Sequence, residues 1–131
     1  VSRAWYSTDG SAYTAGDASS QEASGWSAIT YGDGKFVAVA RDGTNRVMYS
    51  ATGTGNWTAV PVPDAAWTGV AYGNGYFTAV ANNATMWSTD GITWTLGTVP
   101  QANVWTAVTY GGDKFVACAS DGFVQLMYAN N

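Results

Sequence analysis

Any catalysis by this chain would have to draw on a short supply of groups. The 131 residues include no His, a single Cys (Cys118), a single Glu (Glu22), and only five Lys and Arg in all. Absence of His removes the commonest general base and the commonest metal ligand together. Ser7, Ser50 and Ser88 recur at matching places but have no His or obvious Lys to activate them, so nucleophilic catalysis finds no support. A glycosidase needs two carboxylates facing each other across a bond. Asp9 and Asp90 are the available pair, yet they occupy matching contexts, Ser7-Thr8-Asp9-Gly10 and Ser88-Thr89-Asp90-Gly91, which assigns them to equivalent turns of different units. Asp33, Asp113 and Asp121 likewise read as turn residues. No Asp-x-Asp-x-Asp-Gly spacing and no Cys or His cluster is present, so no metal site is expected. Gly32-Asp33-Gly34-Lys35 lacks phosphate-loop spacing and leads into a strand, so it reads as a hairpin. No catalytic residue and no cofactor is expected.

Binding candidates are scarcer still, and they are aromatic or basic. Tyr76 stands where sister segments carry Lys35 and Lys114, which marks a solvent-facing turn position; Trp87 corresponds to Tyr49 and Tyr128. Exposed rings of this kind stack on sugar faces. Arg41 and Arg46 flank one hairpin and complete a candidate surface set of Trp87, Tyr76, Arg41 and Arg46. The net charge of −4 argues against nucleic acid or an anionic membrane as partner. No stretch approaches 18 consecutive apolar residues, which excludes a transmembrane helix. The first residues, Val1-Ser2-Arg3-Ala4-Trp5, lack an apolar core and read as a start without a signal peptide. A lone cysteine builds no internal disulfide framework.

The elements that must position these residues come in repeats. Trp26-Ser-Ala-Ile-Thr-Tyr31-Gly-Asp-Gly-Lys-Phe36 aligns without a gap on the segments Trp67 to Phe77 and Trp105 to Phe115, whose Trp anchors lie 41 and 38 residues apart. All three Met residues share one phase, at Met48, Met86 and Met127. The serine phase runs from Ser7 through Ser50 and Ser88 to Ala129, a span of 122 residues and three whole periods. One domain is expected, with 1–25 a partial unit, 26–66 and 67–104 full repeats, and 105–131 a partial repeat.

Within a unit, Trp26 to Tyr31 alternates like a half-buried strand, Gly32-Asp33-Gly34 signals a tight hairpin, and Phe36 to Ala40 is a nearly continuous apolar run. Arg46 to Ser50 and Trp57 to Val60 supply two further strands. No segment has helical periodicity, so the fold class is all-β. Four-stranded units of this length build either a β-propeller, in which each unit is a blade, or a β-trefoil monomer, which three units complete.

The pattern Trp-x-x-Val-x-Tyr-Gly-x-Gly-x-Phe-x-Ala-Val followed by Trp-Ser-x-Asp-Gly-x-x-Trp resembles the blades of propellers with sialidase-like Asp-box repeats, over essentially the whole chain. Ser88, Asp90, Gly91, Thr93 and Trp94 match the box, one residue shorter between Asp and the aromatic than its strict form. Similar repeats occur in bacteriophage virion proteins and bacterial surface proteins. The resemblance implies a propeller with three blades per chain, and the repeated Trp26, Trp67 and Trp105 as core between blades. It does not carry sialidase chemistry here. That chemistry implies three convergent arginines, and of the three available (Arg3, Arg41 and Arg46) two flank the same hairpin.

Three blades do not close a ring, because the smallest typical propeller has about four. A homodimer of six blades is therefore expected, with a strand near Ala12-Tyr13 completing the partner's last unit. Segments 41–46 and 82–85 and the position shared by Tyr76, Lys35 and Lys114 diverge in length and charge, which suits a surface fitted to one neighbour. The expected role is a non-enzymatic virion structural or adhesion protein, a phage tail or capsid-surface component that meets other virion proteins or a host receptor or glycan. The alternative is a small multivalent lectin.

Overall fold

Alternating side chains and left-handed turn residues decide the elements. The computed structural model describes residues 4–17, 25–122 and 125–130, and every regular element among them is a strand. Trp5–Tyr6 (β1) and Thr14–Ala15 (β2) form a short N-terminal pair. Trp26–Gly32 (β3), Lys35–Ala40 (β4), Val47–Ser50 (β5) and Thr58–Val60 (β6) make the first four-stranded sheet. Trp67–Gly73 (β7), Tyr76–Ala81 (β8), Ala84–Ser88 (β9) and Thr95–Leu96 (β10) make the second. Trp105–Gly111 (β11), Lys114–Ala119 (β12) and Leu126–Asn130 (β13) make a three-stranded third. Each sheet is an antiparallel meander in chain order.

The registers repeat as the sequence does. Tyr31 pairs with Phe36, Tyr72 with Phe77 and Tyr110 with Phe115, and each sheet carries an irregularity two residues into its first strand. The reversals that join these strands place Asp33, Asn74 and Asp113 at φ between 49° and 62°, where short polar side chains are tolerated best.

The sheets stack face to face around their first strands. Val37, Val39 and Val47 of the first sheet meet Trp67, Val70, Phe77 and Met86 of the second, all buried. Val80 of the second sheet meets Trp105 and Ala117 of the third. Each fully buried large side chain contributes about 1.5–3 kcal/mol. At the inner strands the backbones almost touch. A Cβ on Gly69 would lie 3.2 Å from Ala107 Cα, and one on Gly32 or Gly73 would overlap the ring of Tyr72 or Tyr110 on the following sheet. Hydroxyls then tie neighbour to neighbour: Ser27 donates to the Trp67 carbonyl and Thr68 to the Trp105 carbonyl, both at 2.6 Å.

Meanders packed in this way are the blades of a β-propeller. The trefoil does not arise, because each unit forms its own open sheet and the sheets pack face to face instead of pairing edge to edge into one barrel. Trp67 and Trp105 fill the space between blades, as expected of the repeated tryptophans, and Trp26 is half-buried. The strand expected near Ala12-Tyr13 lies at Thr14–Ala15 and pairs with β1 of its own chain. Among the described residues, the inner-strand part of one face of the first blade and one face of the third are uncovered. On the first blade Ile29 is 57% exposed, whereas its counterpart Val70 is 7% exposed under the preceding blade. On the third blade Leu126, Tyr128 and Cys118 face outward, uncovered.

Candidate functional site

A meander of this kind has two rims, with the turns after the first and third strands on one and the loops after the second and fourth on the other. The first rim is uniform, and its carboxylates are committed to structure. Ser88 donates to Asp90 Oδ1 at 2.9 Å and accepts the Gly91 N–H at 2.8 Å. Asp90 Oδ1 also accepts the N–H groups of Ile92 and Thr93. Those two backbone donors are the main cause holding its carboxyl below the usual range. The ring of Trp94 closes the turn, donating to the Gly91 carbonyl at 3.1 Å. Ser7 and Asp9 build the same turn, with Ser11 donating through both its N–H and its hydroxyl, and Asp9 titrates at about 2. In the first blade Thr52 stands in for the Asp, its hydroxyl accepting the Thr54 N–H at 3.3 Å, and Ser50 accepts the Gly53 N–H at 3.0 Å. Asp9 and Asp90 thus sit on different units, each in its own turn.

The opposite rim diverges. Arg46, a candidate for surface binding, is fastened inward. It donates to the carbonyls of Ala65 at 2.6 Å, Gly43 at 3.0 Å and Arg41 at 3.3 Å, and it lies 3.3 Å from the Asp64 carboxylate. Its role in this rim is to pin the loop after β4 to the linker before β7. Arg41 is exposed on the same loop. Asp42 accepts the Gly25 N–H at 2.5 Å and Asp121 accepts the Val104 N–H at 2.7 Å. These two clamps escaped the reading of Asp121 as a plain turn residue. The signal was there: Asp42 and Asp121 both lie 16 residues after a repeat tryptophan.

Tyr76 and Trp87 come together. Their ring centroids are 6.1 Å apart in an edge-to-face arrangement, and both are part-exposed on the second blade. They lie on the face turned toward the third blade, as Thr78, between them in register, pairs with Trp87. A cleft of about 540 Å³, which neither ring lines, runs between the second and third blades over Val80, Val99, Phe115, Ala117 and Met127. A second cleft separates the N-terminal pair from the first blade, over Ile29, Tyr31, Phe36, Ala38 and Trp57. Both are apolar, and neither gathers acid–base groups. Among the described residues no three His, Cys, Asp or Glu side chains converge, and no helix is long and apolar enough to cross a membrane. Arg3 and Glu22 lie outside the described residues.

No protein-family model and no curated protein matches the sequence. Similar solved structures exist. The computationally designed Ika8 protein is 24% identical, with a TM-score of 0.58 over 79% of this chain and 33% of that one. The chain therefore spans about a third of the Ika8 chain's length. The designed Ika4 protein is 17% identical (TM-score 0.47, 83% of this chain and 94% of that one), and a streptogramin B lyase is 14% identical (TM-score 0.46, 82% and 55%). The likeness to Ika8 is one of fold.

Proposed function

We propose that this chain is a non-catalytic propeller module of adhesion or assembly, whose divergent rim is fitted to a protein neighbour. One observation carries the reading: polar chemistry is spent on holding turns and loops, while loop length and loop charge vary on the rim opposite the Ser-capped turns. The Ser-capped turn recurs at Ser7, Ser50 and Ser88, with Asp9 and Asp90 beside two of them and Thr52 beside the third. On the opposite rim, segment 41–46 carries two arginines and an aspartate, its counterpart at Asn82-Asn83 is short and uncharged, and the third blade carries Asp121. Divergent loops on a constant frame suit recognition of one protein surface. The repeats' resemblance to those of phage virion and bacterial surface proteins supports a virion tail or capsid-surface component with an Asp-box-type blade.

The pair Tyr76–Trp87 favours a second reading, a lectin that stacks these rings on a sugar. Two measurements separate the readings. An adhesion or virion component co-purifies with its particle at fixed stoichiometry and gives no saturable signal on a glycan array. Saturable binding to one sugar, lost in both Tyr76→Ala and Trp87→Ala, reverses the ranking.

A further inference from the structure

We infer that the bare face of the third blade and the bare face of the first are two halves of one interface between copies of this chain, closed by exchange of strand β2. Such an interface does not depend on the role proposed above; the two internal blade contacts show what belongs in each vacant position.

The inner strands give the first half. Gly32 receives the ring of Tyr72, and Gly73 receives the ring of Tyr110. The next glycine in the series, Gly111, has open space above it, while the first tyrosine in the series, Tyr31, is 57% exposed. The hydroxyl series matches: Ser27 reaches the Trp67 carbonyl and Thr68 the Trp105 carbonyl, which leaves Thr106 to reach the Trp26 carbonyl of a second copy. Cys118 falls in the same unfinished contact, since its counterparts Val39 and Val80 are fully buried between blades.

The outer strands give the second half. Over Phe36, Ala38 and Met48 lies Trp57, and over Phe77 and Met86 lies Trp94, each delivered by the residue just before a fourth strand. Over Phe115, Ala117 and Met127 the same slot is an open cleft. Tyr13, which precedes β2, is the exposed counterpart of Trp57 and Trp94. In both complete blades the register is fixed, with Tyr49 opposite Thr58 and Met48 opposite Ala59, then Trp87 opposite Thr95 and Met86 opposite Leu96. The exchanged strand repeats it, placing Thr14 opposite Tyr128 and Ala15 opposite Met127.

This exchange also explains why the chain carries a third strand twice. β1 and β13 are repeat equivalents, and β1 holds β2 through two residue pairs and one further backbone bond, from the Gly16 N–H to the Ala4 carbonyl, with Trp5 well exposed. When β13 of a second copy takes the place of β1, β11 and β12 of that copy come to lie over Ile29 and Tyr31. The backbone pairing that is lost returns on the edge of β13. Two copies then give six complete blades, within the usual range, by a closed symmetry.

Gly111→Val tests this with the full chain. Space above Gly111 admits a side chain in the isolated copy, but the partner's Tyr31 ring would occupy it. By light scattering, the unaltered chain is expected at twice 13.7 kDa and Gly111→Val at 13.7 kDa with an unchanged far-ultraviolet spectrum. Cys118, the sole thiol, should react with a thiol reagent at least tenfold faster in that variant. Tyr13→Ala, which leaves the inner contact intact, should raise the dimer dissociation constant at least tenfold and covers the case in which Gly111→Val fails to fold. A wild-type monomer at every concentration, an assembly larger than two, or a dimer unmoved by both substitutions overturns the inference.

Discussion

At the scale of single residues, the repeated Ser and Asp are turn fasteners. Asp90 accepts two backbone N–H groups and the Ser88 hydroxyl, so truncation strands those donors at a partly solvated turn. Asp90→Ala should lower unfolding free energy by about 1 kcal/mol, read from the urea midpoint at an unchanged slope. Acid should act through the same groups. Both Asp9 and Asp90 have folded-state pKa values below the ordinary 3.8, with Asp9 at about 2. A depressed folded pKa adds stability that is complete above the unfolded value and is lost as pH falls through the folded one. Thermal midpoints should therefore hold steady from pH 7 to about 5 and decline between about pH 4 and 2. A decline beginning near pH 6 would contradict this assignment, for the chain has no His to cause it.

Between elements, close approach is the controlling fact. Gly73 and Gly75 stand two residues apart and look alike in sequence, yet they do different work. Gly75 has φ of 82° with nothing near a Cβ, so Gly75→Ala costs only the left-handed backbone penalty, about 1–2 kcal/mol. At Gly73 the Tyr110 ring occupies the space, and Gly73→Ala must force two blades apart, at a cost of about 3 kcal/mol or more. Denaturant titration of the two variants side by side checks the order. An equal loss in both would mean that the inner strands yield more readily than their packing implies.

For the whole molecule, the amount of surface left bare governs behaviour. Ile29, Tyr31, Leu126 and Tyr128 are exposed on the two blade faces on which the proposed dimer would close, and among the described strands β13 is an edge with no partner on its outer side. Association couples stability to concentration. The melting midpoint should rise by several degrees as the chain is concentrated a hundredfold, as scanning calorimetry would show. A midpoint indifferent to concentration would mean that the bare faces are stable in water as they stand.

Strands, hairpins and unit length were legible in the sequence because each is a local pattern: alternation along Trp26 to Tyr31, Gly-Asp-Gly and Asn-Gly reversals, a tryptophan every 38 to 41 residues. The turn role of Asp90 was legible for the same reason, its partners lying within three residues of it. Tertiary structure alone decided which face of each sheet is covered. It turned Arg46 from a surface candidate into a loop anchor through a carbonyl 19 residues away, and it brought Tyr76 against Trp87 across two strands. It also separated Gly32 and Gly73, which hold a neighbour's ring, from Gly111, which holds none. Three near-identical segments differ only in what stands beside them, and a neighbour 38 or 41 residues away leaves no mark on the local pattern.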